Sequence, residues 1–435
     1  MAVPVADAAH LLRRTGFGVT PARLAEITAL PDREAAIARV TDVSLAPPAT
    51  GAPIDGSWIE GGQWDPWYQL CWWWMERMRT SPVPLVEKMV LFWHNHFVSG
   101  QDKLYDIGLL YTQNQMFRQH ALGDYHALVQ AMAIDPAMLH YLDNAQNRAG
   151  REQENFAREV MELFTMGQGH YTEADVISMA RAWTGHNVTD DGRQYLFRPT
   201  RHDNGTKVLF DLPAANWDGP AALTEILRGS RAVPASRFIT AKLFSYLAYP
   251  VPVTDPLVAT LADGFRAADL SILALVRDIL RSDAFWNPAA RYALVRSPTE
   301  WFVAGMEAVG LPPDVCHPEW WMEGTGQQLF YPPNVAGWKQ NSYWISTASG
   351  WARSGWASYV RWQANDAGVF AGIQSQSPAA IVTQGFERFG IVDASPTTRA
   401  ALETWVARAK SEGDAWSIAP NLVQLLLLTP DFQLA

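Results

Sequence analysis

Cysteine is nearly absent. Cys71 and Cys316 stand far apart and outside any CxxC spacing, which excludes a disulfide framework and a thiolate zinc site and suits a reducing compartment. No GxGxxG, Walker A, GxSxG or HExxH pattern occurs, so nucleotide cofactors, P-loop chemistry and the common serine and zinc hydrolases lose support. None of the 10 histidines pairs with another at i, i+4, which removes a coupled copper centre. No apolar run reaches the length of a spanning helix. Arg13-Arg14 could pass for a twin-arginine signal, but Gly16, Gly18, Thr20 and Pro21 interrupt the apolar stretch that would have to follow. The expected location is the cytoplasm. Positive charge is also scarce: the net charge is -10, which argues against nucleic acid and anionic membrane as partners.

Tryptophan, by contrast, is abundant, with 20 in 435 residues. An indole wants a partner for its N–H when buried, so such an excess suits either a large aromatic core or a cleft where flat rings meet a ligand. With 48% hydrophobic residues the chain can bury a sizeable core. Most of it reads as helices punctuated by Pro, Gly and Asp, with a Pro/Gly/Ser-rich loop from Ser44 to about Gly62. "RQYLFRP" and "TKVLFDL" alternate as short strands and suit a small paired hairpin. The expected fold is mainly α, a multi-helix single-chain globule with a small β-hairpin insertion. Its expected parts are a helical lobe over 1–185, an irregular insertion over 186–230 and a second helical lobe over 231–435, packed as one compact unit.

The densest polar stretch is "ENFAREVMELFTM", residues 154 to 166. At about 100° per residue, Phe156, Ala157, Val160, Met161, Leu163 and Phe164 share one side. Asn155, Glu159 and Glu162 run along the other, with Arg158 four residues from both Glu154 and Glu162. One reading is a solvated ladder worth a few tenths of a kcal/mol per pair, roughly. The other is a buried stripe in which Arg158 neutralises one carboxylate and the remaining one is pushed upward, as acid–base sites require. Gly167 ends the helix, Thr172 with Asp175 forms a capping box for the next, and the loop between them carries His170.

Three further segments carry candidates. In "EKMVLFWHNHFVSG" residues two apart diverge by about 200° on a helix, so both imidazoles cannot serve one ion. His96 falls with Leu85, Met89 and Phe92 as a core residue, and His94 is the functional candidate. His202-Asp203 precedes an Asn204-Gly205 turn among Arg198, Arg201 and Lys207, fit for turn chemistry or for a polyhydroxy or anionic ligand. In "YPPNVAGWKQNSYW" the rings of Trp338 and Trp344 alternate with amides such as Asn334, a pattern used by sugar sites and also by packed loops.

The leading expectation is an enzyme, a hydrolase or lyase, acting by acid–base chemistry on a glycan-like, polyhydroxylated small molecule. Glu159 or Glu162 serves as acid and the second carboxylate or Asp203 as base. His94 joins the catalytic group, and Asn155, Arg158, His170, His202, Asn334, Trp338 and Trp344 contact substrate. That reading requires no cofactor. The alternative is a metal-dependent oxidoreductase or hydrolase, with a divalent ion such as iron, manganese or zinc on His94, Glu159, Glu162 and His202. A third reading is a non-enzymatic carbohydrate- or protein-binding module.

"HLLRRTGFG", "LFWHNHF", the 154–176 segment, "ARAWTGH", "HDNGTKVL" and "YPPNVAGW" follow one another in an order that resembles the bacterial "domain of unknown function 1800" family. The resemblance spans nearly the whole chain and implies membership without an established reaction. His186 stands where the pattern implies an aromatic side chain.

Overall fold

The structure is a computed structural model that describes residues 2–46 and 65–435; most of the expected loop after Ser44 lies outside them. The fold is mainly α with one small hairpin. A recurring start signal explains much of it. Asp65-Pro66, Asp135-Pro136, Asp255-Pro256, Ser297-Pro298, Ser377-Pro378 and Ser395-Pro396 each open a helix, and each Asp or Ser side chain accepts a first-turn N–H. Proline costs nothing there, because that N–H has no helical partner, and its fixed φ already fits.

Half of the described tryptophans are buried. Trp74, Trp93, Trp183, Trp301 and Trp356 are fully buried. Four of the five donate their indole N–H inside: Trp74 to Glu87, Trp93 to Ala121 O, Trp301 to Leu427 O and Trp356 to Cys316 O. Buried residues from Val3 to Phe432 join in a single cluster. Among the described residues no helix is long and apolar enough to cross a membrane.

The hairpin differs from expectation in its pairing. Tyr195–Phe197, from "RQYLFRP", pairs antiparallel with His186–Val188, while "TKVLFDL" makes only an isolated bridge, Lys207 to Ala215. Phe210 and Asp211 adopt left-handed backbone, φ 56° and 62°, which ends any extended run there. His186 substitutes for an aromatic by packing as one: its ring lies 4.5 Å from Trp183 and 4.9 Å from Phe197.

Candidate functional site

A cavity of about 620 Å³ is lined by the Pro84–His96 helix, the Ala232–Leu247 helix, the loop after Thr165 and the 336–341 loop. The Pro84–His96 helix is buried on nearly every side, so its apolar pattern cannot tell which face meets a cavity. His96 and Asn95 line it, and His94 does not. His96 is buried among Phe92, Phe97 and Phe164 as expected, but it also lines the cavity, and the expected functional histidine, His94, does not. His94 sits in an aromatic cage, its ring 5.2 Å from Trp74 and 4.9 Å from Phe330, and its Nε2 accepts the Phe330 N–H at 3.2 Å. Burial alone pulls it down to about 3, so it is a neutral structural imidazole.

The 154–166 segment begins as an α-helix, Glu154–Glu159, and widens into a π turn over Val160–Thr165. The turn points the carbonyls of Leu163 and Phe164 toward side chains. Phe164 O accepts from Tyr125 Oη at 2.9 Å and meets His96 Nε2 at 3.0 Å, and Leu163 O accepts from Lys242 Nζ at 3.2 Å. Because a carbonyl can only accept, Nε2 of His96 carries the proton and Nδ1 is left as an acceptor. Lys242 Nζ donates to it at 3.1 Å. Burial lowers Lys242 to about 8, and burial, then the lysine charge, hold His96 well below its usual range. Among the described residues Lys242 has no ion-pair partner, and it lines the cavity.

Asn95 holds the opposite wall. Its Oδ1 accepts the Trp338 N–H at 2.7 Å and its Nδ2 donates to Trp338 O at 3.3 Å, so one side chain fixes the tryptophan main chain on both sides. The close approach needs Gly337: its φ is 75°, and a Cβ there would lie 2.4 Å from Asn95 Oδ1. Trp338, Lys339, Gln340 and Asn341 all face the cavity. The carboxylate of Glu300 lies at one end, paired with Lys88 and accepting the Ser297 N–H at 2.9 Å. Burial opposes its charge, but Lys88 and the Ser297 hydrogen bonds together hold its carboxyl below the ordinary range.

Of the residues singled out from the sequence, the structure brings Trp338 and His170 to this cavity. The others lie elsewhere. Glu159 is half-buried and pushed up by burial and by Glu162. Glu162 accepts from Tyr171 Oη and Gln168 Nε2, both at 2.6 Å, which holds it low; Gln168 reaches the cavity, Glu162 does not. Arg158 pairs with Glu173 at 2.8 Å and Glu154 at 3.5 Å on the surface. Asn155 donates to Asp143 at 3.2 Å and is exposed. His202 bonds Thr184 O at 2.8 Å, and Asp203 pairs with Arg181 at 2.7 Å while capping its own turn. Asn334 shapes the turn before Trp338 by accepting the Ala336 N–H. Trp344 is buried away from the cavity. Among the described residues no three His, Cys, Asp or Glu side chains gather as a metal site, so the ligand set of His94, Glu159, Glu162 and His202 is not assembled.

Sequence reasoning missed Lys242, Lys88, Asn95, Arg13, Arg14 and Glu300. One signal was available: Lys242 is the one charged residue within "ITAKLFSYL", a mostly apolar stretch of its helix, where a charge needs a reason. No curated protein and no solved structure matches the chain. Over residues 10–434 it matches the family described as "Protein of unknown function (DUF1800)", and it belongs to that family.

Proposed function

We propose that the protein is an enzyme, a hydrolase or lyase, that performs acid–base chemistry on a polyhydroxylated, glycan-like small molecule bound in this cavity. One observation carries the reading: Lys242 lines the cavity with no ion-pair partner among the described residues, its amine held by His96 Nδ1 and Leu163 O. An amine lowered to about 8 is free base in useful amount near neutrality, the condition for abstracting a proton from substrate or water. Trp338, steadied by Asn95, offers an aromatic wall, and Gln340 and Asn341 supply amides for hydroxyl groups. The carboxylates of the 154–166 segment have no part in this version. The two free, buried thiols fit a reducing compartment, in keeping with a cytoplasmic enzyme.

The test is turnover of a panel of neutral and acidic oligosaccharides, read as new reducing ends and as ultraviolet absorbance of unsaturated products. The rate should climb as pH rises through about 8, because the deprotonated amine is the active form. Lys242→Met should lose about 10²–10⁴-fold. Full turnover by Lys242→Met would remove the lysine from the chemistry. Binding of the sugars with no turnover by wild type would favour a non-enzymatic binding module.

A further inference from the structure

The face that the Ala232–Leu247 helix turns to the cavity has one reactive group at its centre. Phe238, Ala241, Lys242, Ser245 and Tyr246 all line the cavity, and their spacing of i, i+3, i+4, i+7 and i+8 is that of a single helical stripe. Lys242 is partly exposed in the middle of it, with its amine over the Phe238 ring, 4.7 Å from the centroid. Other walls are largely apolar and include Leu91, Phe92, Met166 and Val251.

The six lysines of the chain are held in different ways. Lys88 and Lys103 are ion-paired, with Glu300 and Asp143. Lys207 and Lys410 donate to main-chain carbonyls, and Lys339 lies over the Tyr343 ring at 4.7 Å. Lys242 Nζ donates to His96 Nδ1 at 3.1 Å and to Leu163 O at 3.2 Å. A protonated amine has three hydrogens to place, whereas a neutral one has two and a lone pair. Two acceptors and no ion-pair partner among the described residues suit the neutral form, and burial favours it by lowering Lys242 to about 8. With both hydrogens engaged, the lone pair is left over, and the two hydrogen bonds fix its direction. A lysine lone pair in apolar surroundings is a nucleophile toward carbonyl carbon. A ring-closed sugar offers it no carbonyl, and an open-chain one does.

We propose that Lys242 forms an imine with the aldehyde carbon of an open-chain sugar held in this cavity. The inference rests on the reading above for its class of ligand and changes the part of the amine from base to nucleophile. Nζ bonds to the carbonyl carbon as the C=O π bond opens, and a proton passes from nitrogen to the new oxygen through water. The hydroxyl so formed takes a proton from solvent and leaves as water, and a protonated C=N bond closes. Nothing is oxidised or reduced. That bond draws electrons from the neighbouring carbons, which eases the breaking of a C–C or C–O bond there.

The experiment incubates the full chain near neutral pH with glyceraldehyde and sodium cyanoborohydride, which reduces imines in preference to aldehydes, and maps the adducts by peptide mass spectrometry. Lys242 should be modified at least about tenfold faster than the exposed Lys103 and Lys339. An amine at about 8 is neutral in roughly a tenth of molecules at pH 7, and an ordinary lysine in fewer than about one in a thousand. Lys242→Arg keeps the charge, cannot form an imine and should lose this one adduct. Equal labelling of the three lysines, or no label on Lys242, overturns the proposal whether or not the variant folds. Labelling of Lys242 by butanal but not by glyceraldehyde overturns the sugar as its ligand. Trapping is read without turnover, so the two readings fail separately: label without turnover ends the base reading alone, and turnover without label ends the imine alone.

Discussion

Two charged regions of this protein have similar composition and opposite character. The face of the 154–173 segment carries Glu154, Arg158 and Glu173, with side chains 50%, 33% and 74% exposed. Water and salt screen these pairs, so their close distances contribute little. The cavity end carries Lys88, Glu300, Arg13 and Arg14, all buried. There the dielectric is low, each charge needs partners, and Arg13 and Arg14 each keep two buried N–H-bearing nitrogens without a hydrogen bond. Density of charge along a sequence therefore says less about a site than isolation of charge within apolar surroundings.

The largest effect should come from Glu300→Gln. It leaves the buried Lys88 without its paired carboxylate, and the expected loss is about 3–5 kcal/mol in urea unfolding. A loss below about 1 kcal/mol would erase the distinction between the two regions. Gly337→Ala comes next. It forces a Cβ into left-handed backbone and against Asn95, at a cost of about 1–3 kcal/mol, and it should loosen Trp338, visible as a change in tryptophan fluorescence on ligand addition. An unchanged midpoint and fluorescence would mean the Asn95 clamp is not needed to shape the cavity wall. Arg158→Ala should do least, under about 1 kcal/mol. A shift as large as that of Glu300→Gln would make the surface ladder the more important of the two.

Much of the architecture was legible in the sequence. The apolar side drawn for residues 154–166 is the side that packs: Phe156, Ala157, Val160, Met161 and Phe164 are buried. The Thr172–Asp175 capping box forms as expected, because it depends only on neighbours along the chain. What failed depended on partners far away in sequence. His94 and His96 could not be ranked by a helical wheel once the whole helix was buried, since the difference between them is made by Phe330 on one side and Lys242 on the other. The wheel itself assumed a regular helix, and the π turn from Val160 breaks that regularity. The partners of the glutamates, by contrast, are local: Arg158 donates to Glu154 on the same helix, and Gln168 and Tyr171, from the loop that follows, donate to Glu162.

The π turn also sets how firmly the cavity mouth is tied down. Met161 O serves two amides at once, Met166 N at 3.0 Å and Gly167 N at 3.1 Å, and an acceptor shared in this way grips neither donor at full strength. Directly beyond it comes the Gly167–His170 stretch, which borders the opening and has two glycines in left-handed backbone. The same turn that holds Lys242 and His96 through the carbonyls of Leu163 and Phe164 thus runs directly into lining residues that turn on two left-handed glycines. One short stretch of chain therefore serves both as anchor for the amine and as wall of the cavity.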